Sequence, residues 1–152
     1  MEPRLNYAAA SPGAYEAMAG IERYVRNCGL EHSLLELVKT RASQINRCAY
    51  CIDMHTTDAR AEGETEQRLY ALSAWRETPF FSPRERAALE WTEALTLISQ
   101  HDVPDDLYAR VREHFSEEEI VNLSLAIIGI NGWNRLAIPF RSVPGTYVRR
   151  AR

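Results

Sequence analysis

Apolar residues recur every three to four positions along most of this chain, which is the period of an amphipathic α-helix. A regular alternation of apolar and polar residues, which would indicate β-strands, is absent. The clearest helical stripe lies in the segment 31–45 and consists of Leu34, Leu35, Val38, Ala42 and Ile45. The pattern predicts an all-α fold, a compact helical bundle.

Capping residues, prolines and glycines mark where the helices begin and end. Ser11 followed by Pro12 is typical of a helix start, and Gly29 is typical of the position just after a helix end. Capping boxes at Ser82–Glu85 and Ser116–Glu119 predict two further starts. These signals predict about six to seven helices, at about 13–28, 31–45, 48–61, 65–79, 83–98, 104–115 and 116–137.

The last predicted helix and the tail that follows it differ in character from the rest of the chain. The segment Leu123–Trp133 is apolar on nearly all sides, so we expect it to be buried on every side, within its own domain or partly against a partner chain. From Pro139 onward the chain contains Pro144-Gly145 and then three arginines, Arg149, Arg150 and Arg152. We expect residues 139–152 to form an extended C-terminal arm.

The composition is that of an ordinary globular protein. The 152 residues carry 18 basic and 21 acidic side chains, a net charge of −3, and we interpret them as a single domain spanning 1–152. A nearly balanced charge argues against a general nucleic-acid binder, which usually has a strong basic excess. The longest uncharged stretch, Ile120–Asn134, has 15 residues and is too short to span a membrane. The first residues lack the apolar core of a signal peptide, so we expect a cytoplasmic protein.

The residues that can carry chemistry converge on one predicted helix. Two of the three cysteines form a C-x-x-C pair, Cys48 and Cys51, and His55 follows the second by one turn. At about 100° per residue, these three side chains fall within an arc of roughly 60°. A helix N-terminus and a neighbouring base lower the pKa of a thiol, and a thiolate can attack the O–O bond of a peroxide. The sulfenic acid so formed can condense with the second thiol to a Cys48–Cys51 disulfide.

Three other interpretations of this pair remain open. The two cysteines could be small buried core residues, or they could bind a structural zinc ion together with His55 and Glu36. The same dithiol could also serve a non-catalytic redox sensor or stress adaptor, in which the disulfide alters assembly or partner binding. Cys28 stands alone and is expected in the core. Three histidines are not at a useful sequence spacing from the other candidate residues and are expected at the surface: His32, His101 and His114.

The residues around this pair resemble those of a known family. The spacing Glu36-x11-Cys48-x2-Cys51-x3-His55 is similar to the signature of the alkylhydroperoxidase D family, within the carboxymuconolactone decarboxylase-like superfamily. The resemblance covers about residues 30–138. It extends through the motifs Ala42–Asn46, Cys51–Thr56, Gly63–Thr65, Tyr70–Leu72, Trp75–Phe81, Glu85–Leu89 and Asn131–Arg135.

The resemblance implies a helical fold that assembles into homotrimers or homohexamers, and a peroxidase activity based on the dithiol. It implies that Cys51 becomes the sulfenic acid and that Cys48 is its resolving partner and proton donor. His55 and Glu36 are implied as the proton relay. One residue departs from the family, because its best-studied members have His before the second cysteine and this chain has Tyr50. A phenol titrates near about 10 and is a poor base at neutral pH, so the relay is left with a single histidine.

Together these observations predict a thiol-dependent peroxidase that reduces hydrogen peroxide or organic hydroperoxides. Apolar side chains, with Trp133 among them, are expected to line a pocket that excludes water. The resemblance implies a lipoyl-bearing protein or another thiol donor as the reductant. No cofactor, metal ion, nucleic acid or membrane is expected as a partner. The decarboxylases of the superfamily lack the paired cysteines, which makes decarboxylation the less favoured activity.

Overall fold

The computed structural model describes residues 1–149, and every regular element among them is helical. The all-α prediction is therefore confirmed. The elements are α1 (Tyr7–Ala10), α2 (Pro12–Arg26), α3 (His32–Asn46), α4 (Ala49–Ala61), α5 (Glu66–Ala71), a 3-10 helix (Leu72–Glu77), α6 (Pro83–Thr96), α7 (Asp105–Arg112) and α8 (Glu117–Phe140). Arg150 and Arg152, which the sequence assigns to the C-terminal arm, lie outside the described residues.

Helix α3 is the centre of the fold, because it packs against α4, α6 and α8. Nine of its 15 residues are buried, and they include the ionisable residues Glu36 and Lys39. A buried ionisable group is costly unless a neighbouring element supplies a partner. The partner of Glu36 comes from α4 and the partner of Lys39 comes from α2, so these two contacts tie three helices together at one place.

A sharp turn folds α4 back against α3. Helix α3 ends at Asn46, and Arg47 adopts the left-handed conformation with a φ of 59°. The backbone N–H of Cys48 then donates to the carbonyl oxygen of Ser43 at 2.9 Å, which closes the turn. Because the connection is so short, residues at similar distances from the turn face each other across the two helices.

Most of the predicted helix starts and ends are confirmed. Both capping boxes form, at Ser82–Glu85 and at Ser116–Glu119, with the serine side chain and the glutamate side chain each accepting a backbone N–H. Pro12 occupies the first turn of α2. Gly29 and Gly63 both have a positive φ, as expected of residues that follow a helix end.

Other predicted boundaries are wrong. The helix expected over 65–79 is two elements, because the chain tightens into the 3-10 helix and Ala74 has non-helical angles. The last helix does not end at 137 but continues through Pro139 to Phe140. The arm therefore begins after Phe140. Helix α1 has no counterpart in the sequence pattern, and with it the described chain has eight α-helices rather than six or seven.

The apolar segment of α8 has one exposed position among its buried and half-buried residues. Leu123, Ile127 and Ile130 are at most 1% exposed, whereas Ile128 is 58% exposed. The alternative that Leu123–Trp133 is buried wholly within its own domain is therefore wrong at Ile128, because the helices that contact α8 leave this side chain uncovered. Burial partly against a partner chain stays a prediction. Even so, no helix within residues 1–149 has the length and apolarity needed to cross a membrane.

The described part of the C-terminal arm, residues 141–149, lies along α4. The backbone N–H of Gly145 donates to the carboxylate of Asp53 at 2.8 Å. Two residues later the hydroxyl of Tyr147 donates to the carboxylate of Asp58. The arm thus lacks regular secondary structure, as predicted, but it is attached to the helix that carries the cysteines.

Candidate active site

The paired cysteines lie at the start of α4. Cys48 is the residue before the first helical turn and Cys51 lies within that turn, with their Cα atoms 5.4 Å apart. The two sulfurs are joined as a disulfide, and each cysteine is 1% exposed. The spacing allows this bond because Cys48 has extended backbone angles and so departs from the helix. The position also suits the reduced pair, since a helix N-terminus favours an anionic sulfur.

His55 and Glu36 form a buried pair one helical turn from Cys51. The Nδ1 atom of His55 is 2.8 Å from Oε2 of Glu36, and both side chains are at most 8% exposed. An ionised carboxylate can only accept hydrogen bonds, so it holds the imidazole with its proton on Nδ1 and leaves a lone pair on Nε2. The contact therefore orients a base on the same helix face as Cys51.

A cavity of about 260 Å³ adjoins this group of residues. Cys51, His55 and Glu36 line it, whereas Cys48 is not among its lining residues. Of the two paired cysteines, Cys51 is thus the one that borders the cavity. The rest of the wall consists mainly of aromatic and long side chains: Tyr7, Tyr15, Glu22, Arg26, Tyr50, Met54, Asp58, Trp133, Ala137 and Tyr147.

Tyr50 and Trp133, both singled out from the sequence, lie in the wall of this cavity. The ring of Trp133 packs edge-on against Tyr15, with centroids 5.6 Å apart. Burial, helped by the neighbouring tyrosines and by Asp53, raises the pKa of Tyr50 above its ordinary value of 10.0. The phenol of Tyr50 is therefore neutral at neutral pH and does not act as a second base there.

A buried ion pair borders the cavity on the side of α2. Lys39, whose side chain is 4% exposed, is paired with Glu22, and Glu22 also lines the cavity. An ammonium group buried to this extent depends on such a partner. Arg26 lies one turn further along α2 and lines the same cavity, with no hydrogen-bonding or ionic partner among residues 1–149. The cavity thus has charged groups as well as an aromatic wall.

A polar network anchors the end of α3 next to the cysteines. The amide of Asn46 donates to Asn134 at 2.8 Å and to Asn131 at 2.9 Å. The amide of Asn134 in turn donates to the hydroxyl of Ser43 at 3.1 Å, and both of these residues are at most 1% exposed. Because the carbonyl of Ser43 also accepts the N–H of Cys48, the network holds the residue to which the cysteine turn is bonded.

Asp58 and Tyr147 are cavity residues that the sequence analysis missed. The hydroxyl of Tyr147 lies 2.9 and 3.0 Å from the two carboxylate oxygens of Asp58. Helical spacing could have identified Asp58, because it follows His55 by three residues and Cys51 by seven, on the same face. Tyr147 has no comparable signal, since it lies 89 residues after its partner in a segment without periodicity.

The remaining candidate residues lie outside this group. Cys28 is a free, half-buried cysteine beside the core rather than a fully buried one, because it lies in the turn after α2. His32 and His101 are exposed as expected, but His114 is half-buried, and Arg84 donates a hydrogen bond to its carbonyl oxygen. Within the described chain, no three His, Cys, Asp or Glu side chains form a group suited to a metal ion.

Comparisons with known sequences place these features in a family context. The sequence profile of the carboxymuconolactone decarboxylase family matches residues 11–94. The uncharacterized protein YdfG of Bacillus subtilis is 51% identical over 138 residues, which are 91% of this chain and 94% of that protein.

Solved structures of other proteins have a similar fold. ATU0492 from Agrobacterium tumefaciens, a protein of unknown function proposed to be an antioxidant defence protein, AhpD, matches with a TM-score of 0.92 and 46% identity. The match covers 96% of this chain and 100% of that one. An uncharacterized peroxidase-related protein from Ralstonia eutropha matches with a TM-score of 0.81 over 92% of this chain and 75% of that one. At 21% identity, this second likeness shows the fold alone.

Proposed function

Because the chain belongs to the carboxymuconolactone decarboxylase family and is alkylhydroperoxidase D-like, we propose that it is a thiol-dependent peroxidase acting on hydrogen peroxide or organic hydroperoxides. The observation that carries the proposal is the position of Cys51. It belongs to a reducible pair, and it lines a cavity together with the His55–Glu36 pair. The antioxidant role proposed for the Agrobacterium relative supports the same activity.

In the first step, the thiolate of reduced Cys51 attacks one oxygen of the peroxide. An S–O bond forms as the O–O bond breaks, so that the sulfur loses two electrons and the peroxide gains them. The leaving oxygen takes a proton relayed by His55 and departs as an alcohol, or as water when the substrate is hydrogen peroxide. Cys51 is left as a sulfenic acid.

In the second step, the sulfur of Cys48 attacks the sulfur of Cys51. The S–S bond forms, the S–O bond breaks, and the hydroxyl group leaves as water with the proton of the Cys48 thiol. The short distance between the two residues makes closure fast and protects Cys51 from further oxidation. A thiol donor, either a simple dithiol or a lipoyl-type group, then supplies two electrons and two protons to regenerate the pair.

The other site residues support this cycle in different ways. Glu36 orients His55 and stabilises the positive charge of the imidazole when it holds the thiol proton. The aromatic wall that contains Tyr50 and Trp133 limits the access of water to Cys51 and offers an apolar surface to the organic part of a hydroperoxide. Burial of Cys51 and His55 fits this role, because an enclosed thiolate meets substrate rather than bulk solvent.

Peroxide consumption by the purified full-length chain, with dithiothreitol as reductant, tests the proposal. Cys51→Ser should abolish turnover, because the cysteine that lines the cavity is lost. Cys48→Ser should leave Cys51 able to form a sulfenic acid but unable to form the disulfide, which mass spectrometry of the Cys51 peptide detects. Cys28→Ser is the matched control and should turn over at the wild-type rate. Full activity of Cys51→Ser would refute the proposal.

The same assay separates a peroxidase from a redox sensor built on the same dithiol. A peroxidase continues to consume peroxide for as long as reductant is present. A sensor is oxidised once per chain and then stops, and its oxidation changes the size of the assembly, which light scattering measures. Rapid, reductant-dependent turnover without such a size change favours the enzyme.

A further inference from the structure

The C-terminal arm forms one wall of the cavity at Cys51. Tyr147 is a lining residue of the inner cavity of about 260 Å³, and it also lines a neighbouring outer cavity of about 440 Å³. Neither Cys51 nor His55 lines the outer cavity. The two cavities share Tyr15, Glu22, Arg26, Asp58, Trp133 and Tyr147, so they adjoin along these side chains.

The arm is attached to α4 at three points within five residues. Gly145 donates its N–H to Asp53 at 2.8 Å, and Tyr147 donates its hydroxyl to both carboxylate oxygens of Asp58. Arg149 then lies 3.5 Å from Asp58 and 3.4 Å from Glu62. Hydrogen bonds to charged groups are stronger than those between neutral groups, so these contacts hold the Tyr147 ring against the cavity.

The electrostatics of Tyr147 agree with this geometry. Burial is the largest cause that raises the pKa of Tyr147 to about 12. The hydrogen bond to Asp58 and the charge of Asp58 raise it further, and the charge of Glu36 makes a smaller contribution. The phenol is therefore neutral at physiological pH and remains a donor to Asp58.

We propose that Tyr147 is a specificity-determining residue, a wall held by Asp58 that limits the size of the hydroperoxide that reaches Cys51. This inference rests on the proposed function and deepens it. With the wall in place, the inner cavity suits hydrogen peroxide and small organic hydroperoxides. The two cavities share Tyr147 and five other lining residues, so we expect removal of the ring to widen the passage between them and to give bulky aromatic hydroperoxides more access to Cys51.

Steady-state kinetics with two peroxides of different size test whether Tyr147 limits the size of the substrate. The ratio of kcat/KM for cumene hydroperoxide to kcat/KM for hydrogen peroxide should rise about tenfold in Tyr147→Ala. Tyr147→Phe keeps the ring but loses the bond to Asp58, so it should show a smaller rise. Thr146→Ala, an exposed residue on the same arm that lines neither cavity, is the matched control and should keep the wild-type ratio. An unchanged ratio in Tyr147→Ala would overturn the inference.

A second measurement does not depend on peroxidase activity. The reduced protein is treated with iodoacetamide or with a bulky maleimide, and labelling of the Cys51 peptide is followed by mass spectrometry. Tyr147→Ala should react with the bulky reagent about tenfold faster relative to iodoacetamide than the wild type does. Equal ratios in the two proteins would overturn the role of the wall, even if neither consumed peroxide. A wild type that consumed no peroxide would refute the proposed function alone, because the labelling ratio would still decide the inference.

Discussion

His55 and Glu36 are 19 residues apart in the sequence, yet the Nδ1 atom of the histidine lies 2.8 Å from the carboxylate of the glutamate. Their contact spans the turn at Arg47, which folds α4 back against α3. Glu36 thus comes from the central helix α3, and His55 comes from α4, the helix that carries the cysteines. The orientation of the imidazole beside Cys51 depends on this turn as much as on the residues themselves.

Replacing Glu36 by glutamine keeps the shape of the side chain but removes its charge. The amide no longer favours the Nδ1–H tautomer of His55 or a positively charged imidazole, so kcat/KM for peroxide should fall about 10–100-fold. Steady-state peroxide consumption measures the loss. Glu77→Gln, at an exposed position, provides the control. A variant as fast as the wild type would remove Glu36 from the relay.

Replacing His55 by alanine removes the base itself. The rate of peroxide reduction should fall about 10²–10⁴-fold, which is the usual contribution of a positioned acid or base. Because the deletion leaves space beside the cavity, added imidazole should restore part of the rate, and this rescue is read from the dependence of kcat/KM on imidazole concentration. Loss without any rescue would indicate a packing role for His55 rather than proton transfer.

Asn134→Ala should destabilise the protein. The change leaves the half-buried amide of Asn46 and the buried hydroxyl of Ser43 without one of their partners, which costs about 1–3 kcal/mol in the free energy of unfolding. Urea denaturation measures this loss, with the exposed Gln67→Ala as a control expected to stay within about 0.5 kcal/mol of the wild type. Equal stability of Asn134→Ala and the control would contradict a structural role for the network.

Tyr147 should make the stability of the protein depend on pH in the alkaline range. Its pKa is about 12 in the folded chain, against an ordinary value of 10.0. A group whose pKa is raised by folding stabilises the native state fully below its unfolded pKa, so the contribution is present below pH 10.0 and is lost as the pH rises towards 12. The difference in unfolding free energy between the wild type and Tyr147→Phe, measured by denaturant titration, should shrink over that range. If the difference in unfolding free energy stayed constant with pH, this would contradict the raised pKa of Tyr147 in the folded chain.

Local features could be predicted from the sequence, because the interactions that produce them lie within one or two helical turns. The capping boxes at Ser82 and Ser116 are examples, since each involves residues three positions apart. The shared face of Cys51 and His55 is another, because it follows from the helical period alone. The one-turn helix α1 and the 3-10 helix after α5 could not be predicted in this way, since both are too short to show a period.

Some expectations from the sequence and from the family resemblance stay predictions. These are the homotrimeric or homohexameric assembly, the cytoplasmic location, the lipoyl-type or other thiol reductant, and the catalytic roles of the four residues Cys51, Cys48, His55 and Glu36. We expect the surface of α8 around Ile128 to take part in such an assembly, because a large apolar side chain is exposed there.

The sequence by itself determined the helical class, most of the helix starts, and a dithiol with a histidine on one helix face, because each of these depends on the identity and spacing of nearby residues. Only the tertiary structure decided that Glu36 reaches His55, that Cys51 rather than Cys48 lines the cavity, and that Tyr147 of the arm lines it too. Contacts of that kind join residues from 19 to 89 positions apart. They arise from how the helices and the arm pack, so the spacing of residues along the sequence does not predict them.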